Sequence, residues 1–201
     1  PMGCYEDIEH ADTFVLWGNN MAEMHPVLFS RVLEARHARR NGQVVDLATR
    51  TTRTSLAADR SILFRPQTDL AIANGISHIL LQAGQINRSF VDQFCNFKKG
   101  KTNIGYGLED KFKFDDVPEP TDLEGFRTFL ADYTPEKVAA ISGLSVEDLR
   151  YLASLYSDPR RKVVSFWCMG PNQHTRGTWM NNLIYNIHLL VGKISTPGNS
   201  P

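Results

Sequence analysis

Short apolar runs alternate with longer amphipathic stretches along this chain, a pattern that is typical of α/β proteins. Four short runs rich in β-branched or aromatic residues are predicted to be strands: 12–17, 44–47, 61–65 and 162–167. The longer stretches are predicted to be helices: 22–39, 69–82, a short one near Ser89, three that begin near Thr121, Thr134 and Ser145, and 178–193. A helix-length crossover separates the first two strands, which predicts parallel pairing and a right-handed connection.

The fold class that follows is α/β, a Rossmann-like parallel sheet with flanking helices plus a helical insertion. We expect a Rossmann-like dinucleotide-binding portion (1–97), an exposed loop or insertion (98–120), a helical segment (121–157), and a returning strand with a ligand-contacting turn and a helix (158–201). The turn-rich run 196–201 would normally lead into another element, so we expect an internal piece of a longer chain. In the helix over 22–39, the expected buried stripe consists of Val27, Leu28, Val32 and Leu33.

In a parallel sheet, ligands gather at the carboxyl ends of the strands. Four such ends are rich in polar residues: 17–24, 46–52, 65–69 and 168–176. Gly18 permits a sharp turn after the first strand, and the amides that open the following helix are predicted to face a phosphate. A plain strand-to-helix turn, in which Asn19 and Asn20 serve for their tolerance of positive φ, is the alternative. This turn lacks the G-x-G-x-x-G motif of ordinary NAD-binding proteins.

The other three strand ends each have a ligand-binding and a structural interpretation. Asp46 stands where an acid can accept both hydroxyls of a ribose, and residues 49–53 add donors for a phosphate, although a solvated cationic loop is the alternative. Asp69 can pair with the N1 and N2 donors of guanine, yet Thr68 or Asp69 can also simply cap the next helix. In the last segment, His174 is more often a structural histidine than a base, whereas Arg176 suits an anionic substrate or cofactor.

Composition and charge limit the partners that the protein can have. The 201 residues are 42% hydrophobic and 22% charged, as in ordinary globular proteins. Lys+Arg and Asp+Glu balance at 22 each, so no electrostatic case exists for nucleic-acid binding. No apolar stretch reaches the roughly 18 residues of a membrane-spanning helix, and we expect no membrane insertion. Cys4, Cys95 and Cys168 form no C-x-x-C pair, so we expect no metal ligand set within the chain.

Several motifs, in order along the chain, resemble the periplasmic dissimilatory nitrate reductase family. They are WGNNMAEMHP at 17–26, Lys99-Gly100 with NIGYGL at 103–108, MGPNQHTRG at 169–177, and LLVGKI at 189–194 followed by Pro197-Gly198. No single motif is specific, but together they are, and the resemblance covers essentially the whole chain.

The resemblance implies a molybdenum oxidoreductase of the dimethyl-sulfoxide-reductase class, a larger multidomain enzyme of which this chain would be an internal fragment. Such an enzyme holds molybdenum between two molybdopterin guanine dinucleotides and has one 4Fe-4S cluster. It reduces nitrate to nitrite in the periplasm by oxygen-atom transfer, with electrons from a dihaem cytochrome c subunit. The family's cysteines for the cluster and the metal match no position here, so those ligands are expected outside this chain, and the isolated fragment is expected to be inactive.

The resemblance also implies a set of cofactor-binding residues at the four strand ends. They are Trp17, Gly18, Asn19, Asn20, Met21, Ala22, Glu23, Met24, Ala48, Thr49, Arg50, Thr51, Thr52, Gln67, Thr68, Asp69, Met169 and Gln173. Arg176 is expected to lie close to the substrate funnel, where its charge would act on the bound anion. Arg50 and Pro171 stand where the family usually has aromatic residues.

Other interpretations stay open at this point. The nearest are an assimilatory nitrate reductase or a formate dehydrogenase of the same superfamily, although Glu23-Met24 before His25-Pro26 and residues 103–108 favour the periplasmic type. The missing glycine motif argues against a nicotinamide-dependent dehydrogenase domain. A non-catalytic α/β binding module predicts that the four polar strand ends are scattered over the surface rather than converging.

Overall fold

The computed structural model describes residues 3–99 and 119–201, which form helices and strands in alternation. The strands are β1 (Thr13–Trp17), β2 (Gln43–Ala48), β3 (Arg60–Leu63), β4 (Phe97–Lys99), β5 (Glu119–Thr121) and β6 (Val163–Trp167). The helices are α1 (Asp7–His10), α2 (Met21–Met24), α3 (Pro26–His37), α4 (Arg53–Ala57), α5 (Asp69–Gln82), α6 (Arg88–Phe94), α7 (Leu123–Leu130), α8 (Pro135–Ser142), α9 (Val146–Ser157), α10 (Met169–Asn172) and α11 (Gly177–Val191).

Four strands form one parallel sheet in the order β3-β2-β1-β6. β1 lies inside the sheet and pairs along its whole length with β2 on one side and β6 on the other. All five of its residues are buried because helices cover both faces of the sheet, which is the usual arrangement of parallel sheets. The predicted α/β fold, with a parallel sheet and flanking helices, is confirmed.

Side chains of β1 alternate between two apolar layers. Val15 and Trp17 pack with residues of α5, α8, α9 and α11 on one face. Phe14 and Leu16 pack with residues of α1, α2 and α3 on the other. This alternation follows from the two-residue period of a strand, and it places Trp17 on the same face as the larger group of helices.

The strand order reverses between β1 and β6. From β1 the chain moves outward to β2 and β3, and after α5 to α9 it returns as β6 on the opposite side of β1. Ser200 then bonds to the outer edge of β6, where its carbonyl accepts from Ser165 N at 2.9 Å. The carboxyl ends of β1 and β6 therefore flank a topological switch point, the place where open α/β sheets bind ligands.

The stretch predicted as one helix over 22–39 is divided in two, α2 and α3. The break falls at His25, whose backbone is non-helical at φ −139°, and Pro26 begins the second helix. Proline disfavours helical backbone in the residue before it and suits the first turn of a new helix, which explains the division.

The predicted buried stripe of this stretch is wrong in part. Val27 is 79% exposed, Leu28 and Leu33 are only partly buried, and the buried residues of α3 are Phe29, Val32 and Ala35. The prediction treated 22–39 as one continuous helix, whereas α3 begins anew at Pro26. The face of α3 that is buried therefore depends on how this separate helix packs on the sheet.

The predicted loop over 98–120 lies largely on residues 100–118, outside the described residues, and so does the NIGYGL motif. The described flanks are strands rather than loop, since β4 and β5 pair antiparallel and place Phe97 opposite Thr121. No helix in the described ranges 3–99 and 119–201 has both the length and the apolar character needed to cross a bilayer.

Candidate functional site

A cleft of about 230 Å³ opens at the carboxyl ends of β1, β2, β3 and β6. Residues that follow each of the four strands line it: Trp17, Gly18, Asn19, Asn20, Asp46, Ala48, Thr49, Arg50, Thr52, Phe64, Pro66, Gln67, Asp69, Gly170, Pro171 and His174. The four polar segments singled out in the sequence therefore meet at one opening. Its volume is below the roughly 300–1,000 Å³ of pockets that enclose drug-sized ligands, so it can enclose only part of a ligand of that size.

Some of the predicted site residues do not line this cleft: Met21, Ala22, Glu23, Met24, Thr51, Thr68, Met169, Gln173 and Arg176. Met21 is buried in the apolar layer on the other face of the sheet, whereas Met24 and Met169 are mostly exposed. Arg176 immediately precedes α11, and its guanidinium lies 5.6 Å from the centre of the Trp179 ring.

The cleft also contains residues outside the predicted cofactor-binding set. Pro66, Gly170 and Pro171 lie in the predicted polar segments 65–69 and 168–176 but were given no contact, and Phe64 lies at the end of the predicted third strand, which is the signal that could have found it. His174 lines it as well, although its residue type alone favours a structural role.

The turns after β1 and β6 touch each other through two glycines. Gly18 has φ +54°, a left-handed conformation that favours glycine, and its N–H donates to Leu47 O at 2.8 Å. A Cβ atom built on Gly170 would lie 2.4 Å from Gly18 O, which is too close for any residue with a side chain. The two backbones can approach this closely because neither position carries a side chain, and their contact closes one end of the cleft.

The backbone amides that open α2 are already hydrogen-bonded. Met21 N donates to Asn19 O at 2.9 Å, and Ala22 N donates to the Thr54 hydroxyl at 2.9 Å. Asn20 O accepts from Glu23 N at 3.2 Å and from the next amide, at residue 24, at 2.9 Å. The expectation that these amides face a phosphate is therefore wrong, because the chain itself uses them.

Asn19 is the polar side chain of this turn that keeps an unused acceptor. It is 5% exposed, and its Oδ1 atom is buried without a hydrogen-bond partner among the described residues. Asn20, by contrast, accepts from Thr54 Oγ1 at 3.0 Å and donates to Glu23. Since a buried unpaired acceptor is costly, Asn19 is suited to receive a donor from a ligand in the cleft.

Two residues before the end of β2, Asp46 is held by the short helix that follows the strand. Ser55 Oγ donates to Asp46 Oδ2 at 2.6 Å, and Ser55 also completes a capping box with Thr52 at the start of α4. Burial raises the pKa of Asp46, and the hydrogen bond from Ser55 opposes that rise. The loop at 48–52 is thus fixed at both ends, with Thr49 and Arg50 exposed at the rim of the cleft.

The segment after β3 is anchored to the end of α8. Arg65 donates from Nη1 to Ala140 O at 2.7 Å, and Arg65 N donates to Ser142 O at 2.7 Å. A cation at the C-terminus of a helix is favourable because the last carbonyls are partly negative. Gln67, which lines the cleft, has φ +66°, a conformation that non-glycine residues adopt at a cost and that is enriched at functional sites.

Asp69 and His174 face each other across the cleft. Asp69 is 3% exposed, and its Oδ2 atom lies 3.6 Å from His174 Nδ1, beyond hydrogen-bond length. Its Oδ1 atom accepts from Leu70 N at 3.2 Å. Burial raises the pKa of Asp69, and the nearby imidazole opposes that rise. The carboxylate therefore keeps acceptor capacity toward the cleft.

In residues 3–99 and 119–201, no group of three or more His, Cys, Asp or Glu side chains is placed to hold a metal ion. The cleft offers carboxylate, amide and guanidinium groups instead. Its chemistry is that of a binding site for a polar organic molecule with hydrogen-bond donors.

Two comparisons with known proteins bear on this site. A sequence model described as molybdopterin oxidoreductase matches residues 4–201. The structure is similar to that of acetylene hydratase from Pelobacter acetylenicus, with a TM-score of 0.72 at 15% sequence identity. That match covers 98% of this chain and 25% of the hydratase chain, so this chain spans about a quarter of the neighbour's length. At this identity the likeness concerns the fold alone.

Proposed function

The chain belongs to the molybdopterin oxidoreductase family, and from that premise we propose that its cleft holds the guanine end of a molybdopterin guanine dinucleotide in a larger molybdenum enzyme. The observation that carries the proposal is the convergence of four strand ends on one cleft beside the reversal of the strand order. A molybdopterin cofactor follows from the family. The guanine dinucleotide form is our proposal.

The acceptors of the cleft fit a guanine base. Guanine presents two neighbouring donors, N1–H and N2–H, which one carboxylate can accept side by side, and adenine has no such pair. Asp69 offers this carboxylate, since its Oδ2 atom is not hydrogen-bonded to His174. The buried Oδ1 atom of Asn19 provides a further acceptor toward the ligand.

The loop at 48–52 fits the ribose and the diphosphate. Asp46 lines the cleft at the end of β2, where an acid can accept ribose hydroxyls, although its Oδ2 atom already accepts from Ser55. Thr49 and Arg50 lie exposed at the rim, where a hydroxyl and a guanidinium can bind phosphate oxygens. These side chains would bind the phosphate instead of the α2 amides, which already donate to acceptors within the chain.

We propose further that the enzyme reduces nitrate to nitrite. When bound, the molybdenum cofactor would supply the two-electron chemistry and the transfer of an oxygen atom, while this chain binds and orients one end of the cofactor. The nitrate substrate, the 4Fe-4S cluster, the dihaem cytochrome c donor and the periplasmic location are proposals that rest on the motifs at 17–26 and 169–177. An assimilatory nitrate reductase or a formate dehydrogenase of the same superfamily is the alternative.

Guanosine diphosphate serves as a probe of the cleft, with adenosine diphosphate as its matched competitor. We expect the protein to bind the guanine nucleotide more tightly. The Asp69→Asn variant should lose about tenfold or more of that affinity and most of the preference, because an amide places a donor against a donor of guanine. Titration calorimetry measures both affinities.

Asp132→Asn is the control, since Asp132 is an exposed acid whose nearest cation, Lys137, lies 4.0 Å away at the surface. This variant should bind both nucleotides as the wild type does. Equal affinity of the wild-type protein for the two nucleotides, or an unchanged preference in Asp69→Asn, would contradict the proposal.

A further inference from the structure

A chain of buried hydrogen bonds leads from the cleft through the core. The successive distances are 3.1 Å from Trp17 Nε1 to Tyr156 OH, 2.9 Å to Ser165 Oγ, 2.8 Å to His188 Nε2, and 2.7 Å from His188 Nδ1 to Lys193 O. All four side chains are at most 2% exposed. The chain therefore connects β1, α9, β6 and α11 through side chains that are almost wholly buried.

The direction of every hydrogen bond can be derived from the end of this chain. The Lys193 carbonyl can only accept, so His188 Nδ1 carries the proton and donates. In a neutral imidazole the other nitrogen, Nε2, then accepts, and Ser165 must donate to it. Since Ser165 has a single hydroxyl proton, it accepts from Tyr156, and Tyr156 in turn accepts from the indole N–H of Trp17, which can only donate. Each donor thus has one acceptor.

Burial keeps the members of the chain in these protonation states. It lowers the pKa of His188 to about 4, so the imidazole is neutral at pH 7. Burial also raises the pKa of Tyr156 to about 12, so its hydroxyl keeps its proton. The His188 and Tyr156 rings pack nearly perpendicular to each other, with centroids 5.3 Å apart.

The anchor of the chain is fixed by backbone geometry. Gly192 ends α11 in a left-handed conformation at φ +68°, and Lys193 N then donates to His188 O at 2.9 Å. The Lys193 ammonium donates to Asp158 O at 2.8 Å and to Arg161 O. His188 is therefore bonded to Lys193 through both its backbone and its ring, which leaves the imidazole little freedom to turn.

We propose that Tyr156, Ser165 and His188 are positioning residues of the cleft, which hold the Trp17 indole in the one orientation that forms its wall. This inference rests on the proposed function, because it requires that the cleft lined by Trp17 binds the nucleotide. A turned-over ring would leave the indole N–H unpaired in an apolar layer, and such a loss is costly. The chain cannot carry protons into the cleft, because the indole N–H does not accept one.

The test compares two tyrosines of the same helix, α9. Tyr156→Phe removes the hydroxyl that holds Trp17. Tyr151→Phe removes a hydroxyl that bonds to the Gln43 side chain at 2.9 Å, away from the cleft. We expect Tyr156→Phe to raise the dissociation constant for guanosine diphosphate about threefold to tenfold, the effect of roughly one hydrogen bond, and Tyr151→Phe to leave it unchanged. Calorimetric titration of the full chain gives both constants.

Ser165 provides an independent pair of variants one link further along. Ser165→Ala removes the hydroxyl and should weaken binding, whereas Ser165→Thr retains it and should restore the affinity. A purely structural role for the chain predicts equal binding in Tyr156→Phe, Ser165→Ala and the wild type, and this result would overturn the inference. An equal loss in Tyr151→Phe and Tyr156→Phe would overturn it too. Failure of the wild-type protein to bind the nucleotide would instead count against the proposed function.

Discussion

Two carboxylates lie buried at the cleft, Asp46 and Asp69, and the chain treats them differently. Burial raises the pKa of each. Asp46 accepts from the Ser55 hydroxyl at 2.6 Å, whereas Asp69 accepts from Leu70 N at the longer distance of 3.2 Å and its other oxygen has only an imidazole 3.6 Å away. A buried carboxylate with few donors is costly to keep ionised. Asp69 is therefore the residue with more to gain from a ligand that brings its own donors, which is why the proposed guanine contact is assigned to it.

His188 leads to a prediction about the pH dependence of stability. Its pKa is lowered to about 4 in the folded chain, while an unfolded histidine titrates near 6.5. Between these values the unfolded state binds more protons, so the stabilisation is present above pH 6.5 and is lost as the pH falls toward 4. From pH 7 to pH 4.5, this residue should lower the free energy of unfolding by about 2 kcal/mol.

Urea unfolding of the wild type and of His188→Gln at several pH values measures this contribution. The glutamine oxygen can still accept from Ser165, but the side chain does not titrate. The variant should therefore show a shallower decline between pH 7 and pH 4.5, by about the amount given. Parallel curves for the two proteins would refute the assignment to His188.

At the scale of the elements, α4 connects the loop at 48–52 to the sheet through one hydroxyl. Ser55→Ala should lower the free energy of unfolding by about 1–3 kcal/mol, because Asp46 then loses the donor on its Oδ2 atom. It should also weaken nucleotide binding, since Ser55 shares the capping box with Thr52 at the cleft. Denaturant unfolding and calorimetric titration measure the two effects.

A second helix-capping serine provides the comparison. Ser145 caps α9 by accepting from Asp148 N at 2.9 Å, and it does not line the cleft. Ser145→Ala should cost about 1 kcal/mol of stability and leave nucleotide binding unchanged. If both variants weakened binding equally, the loss would reflect general destabilisation, and the special role of α4 would be disproved.

Helix boundaries could be predicted from the sequence where the local signals agree. α5 spans Asp69–Gln82 as predicted, and α8 and α9 begin next to Thr134 and Ser145 as predicted, with these two residues as their N-caps. For α6, which the sequence predicts near Ser89, the structure begins the helix at Arg88 and caps it with Asn87, whose Oδ1 atom accepts from Phe90 N at 3.1 Å. Asn87 N also donates to Leu190 O at 2.8 Å, a tertiary contact that no local pattern contains.

The position of the candidate site could be predicted in the same way, but its internal contacts could not. The polar strand ends and the rule for parallel sheets were enough to locate the opening. Whether the Ala22 amide at the start of α2 is free to bind a ligand depends on Thr54, the acceptor of its hydrogen bond, which lies 32 residues further along the chain. The link from Trp17 to Tyr156 spans 139 residues. Such partners meet only once the layers pack, and they decide which groups remain available for a ligand.

For the whole molecule, the proposed function gives this chain a partial role. It has its own parallel sheet with apolar layers on both faces, and one cleft at the switch point between β1 and β6. It spans about a quarter of the acetylene hydratase chain, and its cleft measures about 230 Å³. Binding of a nucleotide and turnover of a substrate should therefore be separable properties.

This separation can be measured directly. The chain alone is expected to bind guanosine diphosphate yet to show no nitrate reduction with reduced viologen, because in the proposed function it holds only one end of the cofactor. A longer enzyme that contains this chain and the complete cofactor is expected to reduce nitrate in the same assay and to leave formate unoxidised with oxidised viologen as acceptor. Spectrophotometric assays of viologen follow both reactions. Turnover of nitrate by the chain alone would contradict the partial role. Oxidation of formate by the longer enzyme, without reduction of nitrate, would show that formate and not nitrate is the substrate.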